Sequence, residues 1–183
     1  MFVRIATFLV DNVVAFFVVL LLLRFHFQWL RVGFRNPFGE FILATTSWIA
    51  LPARRLIPGL AGLDLATLLS AWLLRGVGLW MQTALVGAEP SAAAIVGVAL
   101  ADLLRFSVYI LIFAVFVLAV LSWVNPDAPV APVFNALTRP FLRPLRRVVP
   151  AVGRVDLSPL VLLMILWVLL ILIDGLARMA GQL

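Results

Sequence analysis

The chain has no cysteine and no lysine, one histidine, one tyrosine and only 12% charged residues. The absence of cysteine excludes disulfides, iron–sulfur clusters and thiolate metal sites. The lone His26 sits beside Trp29 and Arg31, an interfacial setting. It could supply one axial haem ligand at most, and no C-x-x-C-H attachment sequence accompanies it. No nucleophile–base arrangement, phosphate loop or metal cluster is legible, so the expectation is a non-enzymatic protein without a cofactor. The scarcity of charge excludes an ordinary soluble domain, which is about 25% charged and about 45–50% apolar. Here 65% of residues are hydrophobic and the mean hydropathy is +1.19, more apolar surface than a water-soluble core of this size buries. The solvent is a bilayer.

What charge there is comes mostly from arginine. All 14 basic residues are Arg against 8 acidic ones, for a net charge of +6. In a bilayer setting, Arg marks cytoplasmic loops and pairs with anionic lipid; direct nucleic-acid binding is not expected.

About 20 apolar residues cross the hydrocarbon core. Four windows qualify: residues 5–27, 65–86, 106–124 and 159–179. The first passes through Asp11 and Asn12 and lacks a small-residue cleavage site, so it reads as a span rather than a cleavable signal. The third has a helical lead-in, 92–105, whose Asp102 and Arg105 can pair on one face and are expected at the far interface.

The connectors 28–64 and 125–156 are amphipathic. Phe38, Phe41, Ile42, Thr45, Trp48 and Ile49 form one helical stripe, with Glu40, Thr46 and Ser47 on other faces. Val130, Val133, Phe134, Leu137 and Phe141 repeat the stripe, and Pro132 suits a first turn. Each connector is expected to carry a helix lying in the interface, apolar side down.

These matches are parts of a repeat. Asn36-Pro37 corresponds to Asn125-Pro126, Pro52 to Pro144, and Arg54-Arg55 to Arg146-Arg147. Pro58 corresponds to Pro150, and Asp64-Leu65 to Asp156-Leu157. Each unit reads as span, Asn-Pro turn, interfacial helix, P-x-R-R-x-x-P, Asp and span. A unit that crosses twice returns to its starting side, so two units in tandem share one orientation. The expected architecture is all-α: four transmembrane helices as two parallel tandem repeats, 1–90 and 91–183, each with an interfacial amphipathic helix.

The string running from Asn125-Pro126 through Pro144, Arg146-Arg147 and Pro150 to Asp156-Leu157-Ser158-Pro159-Leu160 strongly resembles the YggT/YlmG family of small bacterial and plastid membrane proteins. The first unit resembles a degenerate copy. Trp48 stands where Pro140 does, and Ala66-Thr67 replaces Ser158-Pro159. The resemblance implies a multi-pass protein of the bacterial inner membrane. Bacterial members are linked to osmotic tolerance and, in some lineages, to division or chromosome organisation. Plastid members are linked to nucleoid distribution and, in one branch, to cytochrome b6 haem attachment.

The residue chemistry leaves alternatives open. The Arg pairs can act as topology signal and anionic-lipid anchor, as a docking surface for a partner protein, or on a phosphate-bearing ligand. Asp64 and Asp156 read as helix caps, with ion coupling as the other reading. Arg75, counted from Asp64, lies near mid-membrane and is expected to turn inward to a carboxylate or exposed carbonyls, with Asp11 the candidate. Asp11, Arg105 and Asp174 are expected as one polar cluster nearer the opposite surface. The Arg-rich connectors are expected in the cytoplasm with both termini outside. The functional expectation is an organising or assembly protein contacting lipid and a membrane or cytoplasmic partner, or a second copy of itself. The alternatives are a small channel or transporter component and a haem-assembly helper.

Overall fold

The computed structural model describes residues 1–57, 59, 63–89, 91–125, 127–149 and 156–182. Pro58, Pro126 and Pro150 of the repeat, and Arg154, lie outside the described residues. The fold is all-helical. Its elements are α1 (Phe2–Trp29), α2 (Pro37–Leu56), α3 (Leu65–Leu85), α4 (Ala92–Val124), α5 (Ala131–Val148) and α6 (Ser158–Ala180).

Three stretches among the described residues are long and apolar enough to cross a membrane: Phe2–Trp29, Ala92–Ser122 and Ser158–Ala180. The protein is therefore a membrane protein. α3 has 21 residues, enough length, but Arg75, Gln82 and small polar residues dilute its apolar character.

α1 packs along α3, and α4 along α6. Both pairs are antiparallel. Asp11, in the first half of α1, meets Gln82 near the end of α3. Gly97, near the start of α4, lies against Ala180 at the end of α6. α2 rests on α1 and α3, and α5 rests on α4 and α6. Val18, Leu21 and Leu22 of α1 pack with Ala50, Ala71 and Leu103. Val108 and Val115 of α4 pack with Leu142 and with Leu162, Leu166 and Leu170 of α6. A third cluster joins the two sets of helices through Phe27, Ile42, Ala114, Val133 and Leu137.

Helices in lipid gain little from burying apolar surface against each other, so close packing decides their contacts. A Cβ at Gly78 would stand 2.8 Å from a methyl of Val14, and one at Gly97 would stand 2.7 Å from the Cβ of Ala180. Each antiparallel pair thus closes on a glycine.

Three details of the repeat differ from expectation. Asn36 is the N-cap of α2, accepting from the Gly39 amide at 2.8 Å, whereas Asn125 is the C-cap of α4. α5 starts at Ala131, with Pro132 in its first turn as expected. Second, Pro52 lies inside α2, and Pro140 and Pro144 lie inside α5. The P-x-R-R segments therefore belong to the helices, and Arg54, Arg55, Arg146 and Arg147 fall in last turns, where the carbonyl end favours cations. Third, the α2 stripe divides. Ile42 turns inward with Gly39, Thr46 and Ala50, while Phe41 and Trp48 are exposed. In α5, Val133 and Leu137 are buried with Thr138 and Leu142.

Replacing Gly78 with Leu should force α1 away from α3. Overpacking of this kind costs about 1–3 kcal/mol, and the melting temperature followed by circular dichroism in detergent should fall. An unchanged melting temperature would show that the pair does not depend on this approach.

Candidate functional site

Charged side chains from α1, α3, α4 and α6 meet in one chain of alternating sign. Arg75 of α3 donates through Nη1 to Asp11 Oδ1 of α1 at 2.7 Å and through Nε to Asp102 Oδ2 of α4 at 2.7 Å. Arg105 of α4 donates to the other oxygen of Asp102 at 2.8 Å. It also reaches Asp174 Oδ1 of α6 through Nη2 at 2.8 Å and Nε at 2.9 Å. Gln82 Nε2 adds a bond to Asp11 at 3.0 Å. The Arg75 guanidinium also stands 5.8 Å from the centre of the Phe106 ring, within cation–π range.

The order is Asp11, Arg75, Asp102, Arg105, Asp174. Arg75 therefore meets two carboxylates, and Asp102 links it to what was expected as a separate outer cluster. A long Arg side chain can carry its charge some way along the helix from its own Cα, which reconciles Arg75 and Asp102. Sequence spacing explains the rest. Asp102 and Arg105 are three apart on one helical face, and antiparallel packing brings Asp11 and Asp174 to the same level.

The chain is buried at its middle and open at its ends. Asp102 is 2% exposed and Arg75 7%, while the side chains of Asp11 and Asp174 are 47% and 45% exposed. Three carboxylates against two guanidiniums leave one net negative charge. Beside Asp174, a cleft of about 480 Å³ is bordered by Arg105, Tyr109 and Arg178. The centre is thus a cross-brace, and only the end carboxylates are free to engage anything else.

A second set of pairs ends α2 and α5. Arg54 reaches Asp64 Oδ2 at 2.5 Å, ten residues on. Arg146 reaches Asp156 Oδ2 at 2.8 Å over the same spacing. Asp64 is the N-cap of α3, accepting from the Thr67 amide at 3.3 Å and from the Thr67 hydroxyl. Asp156 accepts from the Ser158 amide at 2.9 Å and stands one residue before the N-cap, Leu157. Pro159 explains this offset, since it removes the amide that Asp156 would otherwise reach three residues on.

Burial works to raise the Asp64 carboxyl, but bonds from Arg54 and Thr67 outweigh it and hold the group below its ordinary value. At Asp156 a smaller burial effect is likewise outweighed by bonds from Ser158 and Arg146. A depressed carboxylate stabilises the fold above its unfolded pKa of about 3.9, and that contribution is lost as pH falls through the lower folded value. Asp64 is buried and Asp156 exposed, so the first pair contributes more. Arg55 and Arg147 are exposed.

Arg24 is a site residue that sequence patterning misses. It is 2% exposed, and its Nη1 donates to Thr46 Oγ1 at 3.0 Å and Ser47 Oγ at 3.1 Å. Among the described residues no carboxylate pairs with it and its Nε has no partner. The signal lay in Thr46 and Ser47, adjacent hydroxyls in a helix otherwise assigned to the interface.

The family model described as CCB3/YggT matches this chain twice, over residues 3–85 and 97–177. The chain belongs to the CCB3/YggT family. An Escherichia coli K12 relative named "Uncharacterized protein YggT" is 36% identical over 165 residues, 89% of this chain and 86% of the relative. An uncharacterized Pseudomonas aeruginosa protein is 32% identical over 188 residues, 97% of this chain and 92% of its own length. A Vibrio alginolyticus relative is 33% identical over 159 residues, 85% of this chain and 86% of its own. No solved structure matches the chain significantly.

Asp102→Leu should be the most damaging single change in the ion chain, because it takes one carboxylate from each of two guanidiniums at once, leaving Arg75 only Asp11 and Arg105 only Asp174. Breaking one partner of a buried pair costs about 3–5 kcal/mol. Adding Arg75→Met to Asp102→Leu should recover part of that loss. Melting temperatures of the two single variants and the double variant in detergent measure the coupling, and strict additivity would mean that the pair is not coupled.

Proposed function

We propose that the protein is a non-enzymatic organiser of the bacterial inner membrane, presenting an Arg-rich cytoplasmic face to anionic lipid and a protein partner. The observation that carries this reading is the contrast between the two sets of charges. The interior cations Arg75 and Arg105 are held by carboxylates, whereas Arg55, Arg139, Arg143 and Arg147 are exposed. An organiser needs such a surface, and a channel needs an open polar path.

In this reading α3 is the fourth span. At about 1.5 Å per residue its 21 residues extend about 31 Å, close to the thickness of the hydrocarbon core. It runs antiparallel along α1, and the cost of its one charge is offset by Asp11 and Asp102. With four spans, the connectors holding α2 and α5 lie on one side, consistent with the positive-inside rule, and both termini lie outside. The double family match, over 3–85 and 97–177, supports two tandem units, 1–90 and 91–183, and in this reading each lays its middle helix in the interface.

The half-exposed Asp11 and Asp174 favour one second reading, a channel or transporter component in osmotic or ion balance. The family resemblance, with its links to osmotic tolerance and envelope organisation, is compatible with both.

The chain has no cysteine, so single introduced thiols report topology cleanly. A membrane-impermeant maleimide should label Glu89→Cys from outside the cell and Asn135→Cys only after lysis. Affinity purification in mild detergent should recover a partner whose yield falls when Arg55, Arg143 and Arg147 are changed to Gln. Proteoliposomes should show no ion or water flux above empty vesicles; flux abolished by Asp174→Asn would reject the organiser in favour of the channel.

A further inference from the structure

Two adjoining clefts lie where α1 ends, α2 ends and α3 begins. The larger, about 680 Å³, is an apolar groove between α1, α3 and α4, walled by His26, Trp29, Leu68, Trp72, Leu100 and Leu104. Its volume falls within the roughly 300–1,000 Å³ of sites that hold small ligands. The smaller, about 350 Å³, is the more polar of the two, bordered by Gln28, Arg54 and Asp64 together with Ile57, Gly59 and Leu63. Ile57 borders both. Adjacent residues divide between them: Trp29 and Leu65 face the groove, Gln28 and Asp64 the polar cleft. Together they form one amphipathic recess.

The charges around it do not balance. Arg54 is paired with Asp64. Arg24 lies one helical turn before Gln28 on the same face of α1, buried and held only by two hydroxyls. Arg24 borders neither cleft but lies buried behind them, within electrostatic reach of Arg54 and Asp64, so these three groups together leave one positive charge uncompensated at this end of α1, α2 and α3. The groove runs from Leu65 to Trp72 along α3, about 10 Å at 1.5 Å per residue, less than the roughly 15 Å of one leaflet.

We propose that this recess binds one anionic phospholipid, with its headgroup phosphate in the polar cleft by Arg54 and Gln28 and an acyl chain in the groove. The phosphate supplies the missing negative charge, and the chain covers the apolar wall at the seam between α3 and α4. Among the described residues the second unit offers no equivalent, because its Arg146–Asp156 pair is exposed and no buried Arg stands in the last turns of α4. This deepens the proposed lipid contact by giving it a location. It rests on that reading only in setting this end of α3 at headgroup depth.

Native mass spectrometry of the purified full chain tests it, with phosphatidylglycerol or phosphatidylcholine added after delipidation. One phosphatidylglycerol should be retained in preference to phosphatidylcholine. Arg54→Gln should weaken retention about fivefold, the share of one Arg–headgroup contact. Arg55→Gln, the same charge change outside the recess, should not. Leu100→Trp should plug the groove and abolish retention, while Leu172→Trp on the exposed face of α6 should not. Should Arg54→Gln lose its helical circular dichroism, the plug variant decides alone.

Equal retention of both lipids, equal effects of the two Arg variants, or retention unaffected by Leu100→Trp would overturn the site. A lipid-free dimer dissociated by Leu100→Trp would overturn it in favour of a second copy. Retention is read in detergent, so thiol labelling can fail while the lipid site stands, and the reverse.

Discussion

Asp102 accepts from Arg75 through one carboxylate oxygen and from Arg105 through the other. The rest of the fold depends on this double contact. Arg75 carries the connection to α3 and onward to Asp11 of α1, and Arg105 carries it to Asp174 of α6. Hydrogen-bonded side chains between helices in lipid bring only modest stability, about 0.6–2 kcal/mol each. Their larger effect is on specificity. An ion chain that must match four helices at one level fixes their register, which apolar ridges alone leave loosely defined. The glycine contacts at Gly78 and Gly97 complete this by letting each antiparallel pair approach closely.

The two sets of three helices are alike in outline and different in chemistry. Both end their middle helix on an Arg pair and return that charge to an Asp ten residues on. In the first set the Asp is buried and also caps α3 with Thr67. In the second it is exposed, and Pro159 limits it to the Ser158 amide. The unit with the fuller motif therefore has the looser pair, and the degenerate unit has the tighter one. Ala66-Thr67 in place of Ser158-Pro159 is the cause, since Thr67 brings a hydroxyl and an amide where proline has neither.

All six helices were legible in the sequence, because apolar windows and amphipathic stripes reflect the same burial that forms them. The inward turn of Arg75 was legible too, because a guanidinium in lipid is too costly to leave unpaired. Its second partner was not. Spacing along one helix shows that Asp102 can meet Arg105, but which helix lies beside α3 is a tertiary fact. The two Asn-Pro steps take different roles for a local reason: such a step can end one helix or begin the next, and Pro132 sets the start of α5 at Ala131. Thr46 and Ser47 misled because hydroxyls count as polar in a stripe, although they suit the wall of a buried cation.

Arg24 shows why the degenerate unit need not be the idle one. Its helix places a cation among apolar neighbours, two hydroxyls of α2 hold it in position, and neither neutralises it. Breaking the repeat at this point separates what the two units contribute. The ion chain needs both, because its members come from α1, α3, α4 and α6. The unbalanced positive charge belongs to α1, α2 and α3 alone. A symmetric repeat would have produced two such charges or none. A single one among the described residues, buried behind the recess at the end of α1, gives the molecule one distinguished side within an otherwise duplicated frame.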